Sequence, residues 1–226
     1  MSMRIGITMR VTENASYPER RDSVSQEWGA YIAKVLPEAV LVPLLNRPDD
    51  VIRCMEELNI EGVILSGGND WDEAAERDET EKRLVDHCMR EEIAVLGVCR
   101  GMEVLNVLFG GQLEDDIYKA SEEGHVNVNH TVKIQRCRFA NWDEGEILTN
   151  SFHSQGIIVS GMSDEFKVFA QTALGVVEGF YHPNKPVVGI QWHPERDNPA
   201  EAFDKQLIRT LFYSGVFSGS ERNEQR

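Results

Sequence analysis

Three groups of residues in this chain have the types and spacing that acyl-transfer chemistry needs. Cys99 stands in Gly97-Val98-Cys99-Arg100-Gly101, a G-x-C-x-G that follows the apolar run Ile93 to Leu96 and precedes a segment of helical period. Glycines on both sides relieve the crowding of a sharp strand-to-helix turn and leave the central residue exposed and strained, as a nucleophile requires. At a helix N-terminus the unpaired amides and the macrodipole favour a thiolate, so the thiol pKa is expected to drop toward the working range. The competing reading is a buried cysteine packed behind a sheet, a common fate of free thiols. The second group is Gln191-Trp192-His193-Pro194-Glu195. Pro194 biases His193 to an extended conformation, so the side chains at 193 and 195 share a face. Glu195 can then accept from one ring nitrogen and leave the other for Cys99. Taken alone, these two residues are better read as a surface pair in a proline-containing loop. The third group is Asn150-Ser151-Phe152-His153-Ser154-Gln155, a polar run with one more imidazole.

The elements that must position these groups are legible as alternating strands and helices. Met3 to Met9 reads as a first strand. Trp28, Tyr31, Ile32, Val35 and Leu36 fall at helical spacing behind a cap at Ser23 or Ser25. Val40 to Val42, a helix marked by Val51, Ile52, Met55 and Leu58, and a strand Gly62 to Leu65 ending at Ser66-Gly67-Gly68 complete a β-α-β-α-β order. A charged helix from Asp78 to Arg90 leads into the strand before Cys99, and a helix from Met102 to Phe109 stops at Gly110-Gly111. From Val126 on, strands dominate: Val126, Val128, His130 and Val132 on one alternating face, then Gly156 to Val159, Val168 to Ala170, Val176 to Tyr181 and Val187 to Trp192. Phe203, Leu207, Ile208 and Leu211 mark a closing helix. This pattern predicts a parallel sheet with helices on both faces. One domain is expected over 1–217, with a polar tail over 218–226.

The motifs together resemble the class I glutamine amidotransferases, and more narrowly their stand-alone γ-glutamyl hydrolase branch, the peptidase C26 type. The resemblance rests on Gly97 to Met102 with Leu105-Asn106 and Gly110-Gly111, on Asn150 to Gln155, and on His193-Pro194-Glu195. It implies a flavodoxin-like three-layer α/β/α sandwich with a mostly parallel central sheet. It also implies Cys99 as nucleophile, His193 as general acid and then base, Glu195 as its orienting partner, and an oxyanion hole from the backbone amides of Gly68 and Arg100. Asn150, Ser151, Phe152, His153 and Gln155 fall where the family binds the glutamyl group. One position departs: four residues after the cysteine the family usually has glutamine, and this chain has Glu103, whose carboxylate could accept from a substrate α-ammonium. The stretch with Arg10, Arg20, Arg21, Asp22 and Trp28, with Ser66 to Asp70, looks most like the subgroup acting on γ-glutamyl-CDP-amidate; γ-glutamyl-γ-aminobutyrate and γ-glutamyl polyamine derivatives are the alternative substrates.

Composition limits the partners. The 226 residues carry 38 acidic and 23 basic side chains, a net charge of -15. Such a surface repels phosphate backbones and anionic headgroups, so neither nucleic acid nor membrane is expected as a partner. Four cysteines without a C-x-x-C pair point to a reducing, cytoplasmic setting. No cofactor is expected, and no metal, because His125 and His130 lack zinc-like spacing to any cysteine. The expected partner is a small γ-glutamyl substrate, with a homodimer allowed. Two rival readings remain: a glutaminase subunit delivering ammonia to a synthetase, and a non-hydrolytic redox-sensing or interaction protein of the same fold.

Overall fold

A computed structural model describes residues 2–121 and 124–213. The predicted tail, 218–226, lies outside the described residues. In chain order the elements are β1 Met3–Thr8, β2 Arg10–Glu13, β3 Arg20–Ser23, α1 Glu27–Val35, β4 Ala39–Leu44, α2 Val51–Glu57 and β5 Gly62–Leu65. There follow α3 Ala75–Glu91, β6 Ala94–Val98, α4 Arg100–Leu108, α5 Ile117–Ser121, β7 Val126–Ile134 and β8 Gly145–Phe152. The chain continues through β9 Ile157–Ile158, β10 Lys167–Gln171, β11 Val176–Tyr181, β12 Val187–Ile190 and α6 Glu201–Tyr213.

Ten strands form one sheet in the order β4-β1-β5-β6-β12-β11-β10-β7-β8, with β9 pairing β11. From β4 through β12 the neighbours are parallel; from β12 outward they are antiparallel. Strand alternation sorts the apolar side chains to two faces. Ile5, Ile7, Ile64, Leu96, Val98 and Ile190 pack under Trp28, Ile32 and Val35 of α1 and Phe203, Leu207 and Ile208 of α6. Val63, Leu65, Val95 and Val187 pack under α2, α3 and α4 through Met55, Leu84, Val85, Met102 and Leu105. These are the three layers of a flavodoxin-like α/β fold. The parallel strands are buried on both faces, which is why they read as continuous apolar runs. No helix among the described residues is long and apolar enough to cross a membrane.

Two parts of the sheet system differ from the sequence-based expectation. The hairpin β2–β3 is a separate two-stranded sheet of polar composition, RVTE against RRDS, with no apolar alternation to announce it. The predicted common face of Val126, Val128, His130 and Val132 holds from Val128 onward but does not extend to Val126. Asn127 has φ 55°, and the β7–β8 register shifts between Val126 and Val128. A bulge of this kind re-aims a side chain relative to those beyond it, which takes Val126 off that face; along the regular stretch exposure falls from Val128 through half-buried His130 to buried Val132 and Ile134. At the helix start the Ser25 hydroxyl accepts the Glu27 amide at 3.3 Å.

Candidate active site

β6 ends at Val98 and α4 begins at Arg100, so Cys99 is the whole of the turn, at φ 52° and ψ -113°. Such a backbone costs on the order of 1–3 kcal/mol for a residue with a side chain, and the surroundings must impose it. Here the Cys99 amide donates to the Ile190 carbonyl at 2.9 Å, and the Cys99 carbonyl accepts the amides of Met102 at 2.9 Å and Glu103 at 3.2 Å. The flanking glycines let α4 close down on the sheet: a Cβ on Gly101 would overlap the Leu65 carbonyl, and one on Gly97 would stand 2.6 Å from the Gly101 oxygen. The expected lowering of the thiol pKa does not appear. Burial pushes the Cys99 thiol up, the Glu103 carboxylate adds to the rise, and the Arg100 backbone amide offsets them only in part.

His193 follows β12, and its Nδ1 lies 2.7 Å from Glu195 Oε1. An Nδ1–H donated to that carboxylate leaves Nε2 for the cysteine side. Gly67 marks where the two meet: a Cβ there would lie 2.9 Å from His193 Cε1 and 3.5 Å from Cys99 Cβ. Asn150, at the end of β8, holds this segment in place. Its amide nitrogen donates to the carbonyls of His193 at 2.8 Å and Asp197 at 3.0 Å, while its Oδ1 accepts the His193 amide at 2.9 Å. Behind it the Asn150 backbone amide donates to Asn198 Oδ1. Asn198 and Trp192 both donate to the buried Asp204 carboxylate, at 2.6 and 2.8 Å.

A cavity of about 260 Å³ opens over Cys99. Of the residues expected to bind substrate, Glu103, Phe152, His153 and Gln155 line it; Asn150 and Ser151 do not. Asn150 is committed to the His193 backbone, and the Ser151 hydroxyl donates to the His125 carbonyl at 2.7 Å. Glu103 accepts from Gln191 Nε2 at 2.8 Å, and burial pushes its carboxyl up to about 7. Arg10, carried by the β2–β3 hairpin, and Arg196 stand at the rim, the latter stacked 4.4 Å over the Phe152 ring. Arg20 and Arg21 do not line the cavity; Arg20 pairs with Glu76 and Arg21 with Glu19. Asp22 instead receives the Asn46 amides at 2.9 and 2.7 Å.

Sequence reasoning missed Arg77, whose role has no local signal. It is fully buried, and its guanidinium donates to the carbonyls of Ser66 at 2.6 Å, Gly67 at 3.3 Å and Gly68. A trans peptide directs its N–H opposite its C=O, so the amides of Gly67, Gly68 and Asn69 are turned away from Arg77. Arg77 is itself held by Glu81 at 3.0 Å, and Glu81 also binds Arg100, whose other nitrogen meets Asp78. Burial alone would push Glu81 up, but Arg100 and Arg77 outweigh it and hold the carboxyl below its usual range. The Arg100 side chain thus braces the loop while its backbone amide faces the cysteine.

Residues 4–195 match the Peptidase C26 family. The γ-glutamyl-CDP-amidate hydrolase of Campylobacter jejuni is 30% identical over 203 residues, covering 87% of this chain and 92% of that one. The glutamine amidotransferase-family protein PB2B2.05 of Schizosaccharomyces pombe is 34% identical over 161 residues; the match spans 61% of this chain and 62% of that one, under two thirds of its length. A glutamine-hydrolysing GMP synthase chain of Methanothrix thermoacetophila is 28% identical over 159 residues, 68% of this chain and 78% of the relative. A solved glutamine amidotransferase from Thermotoga maritima superposes with a TM-score of 0.66 at 16% identity, covering 95% and 98% of the two chains. The chain therefore belongs to the Peptidase C26 family of class I glutamine amidotransferase-like proteins, hydrolytic enzymes of the amidotransferase type.

Proposed function

We propose that this chain hydrolyses a γ-glutamyl amide with Cys99 as nucleophile, His193 as acid and base, and Glu195 as the group that orients the imidazole. The observation that carries this reading is the 2.7 Å contact of His193 Nδ1 with Glu195, beside a strained Cys99 that opens on a cavity. Because the thiol is held neutral by burial, His193 Nε2 takes its proton as the sulfur attacks the γ-carbonyl. The S–C bond forms, and the oxyanion rests on the backbone amides of Arg100 and Gly68, a contribution worth about 3 kcal/mol per donor in comparable sites. His193 then returns the proton to the departing amine as the C–N bond breaks. Water, deprotonated by His193, cleaves the thioester and releases glutamate. Glu103, beside His153, suits an acceptor for the substrate α-ammonium.

The leaving group we favour carries phosphate, as in γ-glutamyl-CDP-amidate. Arg10 and Arg196 line the cavity of a chain otherwise strongly acidic, and guanidinium groups pair well with phosphate oxygens. The similarity to the Campylobacter hydrolase, along nearly its whole length, supports the same choice. The second reading, an ammonia-delivering subunit that needs a synthetase, is favoured by the likeness to the Methanothrix GMP synthase chain. Glutamate release by the purified chain from glutamine, γ-glutamyl-γ-aminobutyrate and γ-glutamyl-CDP-amidate separates these readings. Selective turnover of the last, lost by a factor of about 10⁴ or more in Cys99→Ala, is expected. Activity in that variant would refute the mechanism, and silence on all three substrates would favour the partner-dependent subunit.

A further inference from the structure

Where the parallel sheet meets its antiparallel extension, three side chains converge on a point that the proposed chemistry does not use. They are His125, just before β7, His153, just after β8, and Glu178 on β11. His125 Nδ1 lies 3.1 Å from His153 Nε2, and Glu178 Oε1 lies 3.4 Å from the first and 3.5 Å from the second. All three residues are buried, Glu178 completely, and neither of its carboxylate oxygens has a hydrogen-bond partner among the described residues. Buried carboxylates are normally satisfied by several donors. The Glu178 distances are long for hydrogen bonds. All three separations instead approach the edge of a ligand tetrahedron around a zinc-sized ion, about 3.3–3.4 Å for metal–nitrogen bonds of about 2.0–2.1 Å.

The surroundings fit that reading. His153 Nδ1 lies 2.8 Å from the Gln155 carbonyl, so it can donate there and present Nε2 to the cluster as a lone pair. Metal-ligating imidazoles are typically fixed by such a bond from the other nitrogen. We propose that His125 Nδ1, His153 Nε2 and Glu178 Oε1 bind a divalent transition-metal ion of the zinc class, with a fourth position open to water. Two imidazoles and one carboxylate suit zinc and its neighbours better than magnesium or calcium, which prefer all-oxygen sites. His130 Nε2, 3.6 Å from Glu178 Oε2, flanks the second carboxylate oxygen. The ion ties both ends of the β7–β8 hairpin to β11 and fixes His153, a wall of the cavity. The expectation of no metal rested on spacing to cysteines; ligands drawn from three separate segments of the chain leave no local spacing to read.

The test uses the full chain carrying Cys99→Ala, so that the thiol and His193 cannot bind the ion together. After chelator treatment, the protein is dialysed against zinc and its metal content measured, and a parallel sample is titrated with cobalt(II). One equivalent per chain and the intense visible bands of tetrahedral cobalt are expected, with affinity weakened about 100-fold or more by Glu178→Gln and by His125→Gln. No uptake, or uptake that both substitutions leave unchanged, overturns the proposal. Should either variant fail to fold, the cobalt spectrum of the parent decides: absence of tetrahedral bands refutes the site. None of these readouts depends on glutamate release, so the result stands apart from the proposed hydrolysis.

Discussion

Cys99 combines a reactive position with a neutral resting state. The turn presents its sulfur beside His193, yet burial and the Glu103 carboxylate raise the thiol above its ordinary pKa of 9.0. Alkylation of Cys99 by iodoacetamide, followed by mass spectrometry of its peptide, is therefore expected to keep accelerating as pH rises past 9. A plateau near neutrality would show a pre-formed thiolate and refute this account. Glu103 gives a second test at the same scale. Its carboxyl is pushed up to about 7 by burial, from 4.5. A buried acid raised in this way binds its proton more tightly folded than unfolded, so its contribution to stability is complete below about 4.5 and is lost as pH rises through about 7. Glu103→Gln, which restores the amide usual in the family, stays neutral throughout. Denaturant unfolding is expected to show the variant gaining on the parent between pH 5 and pH 8.5, by on the order of 3 kcal/mol at most. Asp204, also raised to about 7, is common to both proteins and cancels in the difference. An equal gap at the two pH values would refute the shift.

At the scale of elements, the proposed catalytic geometry is a matter of which strand ends meet. β6 supplies Cys99, β12 supplies His193, and β8, from the antiparallel extension, reaches back to clamp the His193 backbone through Asn150. A clamp on the backbone sets the orientation of the imidazole without touching substrate. Asn150→Ala is accordingly expected to lower kcat for glutamate release by about 100-fold while KM changes little. A rise in KM with kcat preserved would instead restore Asn150 to the substrate contacts that its motif suggests. The β2–β3 hairpin contributes by placement. It lies off the main sheet and carries Arg10 to the rim, where Trp28 of α1 also lines the cavity.

Across the whole molecule, a net charge of -15 surrounds a cavity whose rim nevertheless holds two guanidinium groups, Arg10 and Arg196, alongside the acidic Asp70, Glu103 and Glu195. Clefts of low dielectric focus such local charge, which is what the proposed anionic leaving group requires on an acidic surface. Much of this protein is written in short stretches of its chain. The elbow is legible because the need for small residues around a strained turn is local, and the overlaps at Gly97 and Gly101 bear it out. His193 and Glu195 are legible as a pair because they lie two residues apart in extended chain. The parallel strands announce themselves because both of their faces are buried. The rest came from contacts between distant segments. Whether Asn150 and Ser151 face substrate or backbone depends on where β8 docks. The thiol's resting state depends on burial, which outweighs the helix terminus. Arg77, 11 residues from Ser66 in sequence, and the His125–His153–Glu178 cluster depend on groups brought together from separate elements. Interactions of this kind leave no periodicity or spacing in the chain; they exist only once the sheet has set its strand order.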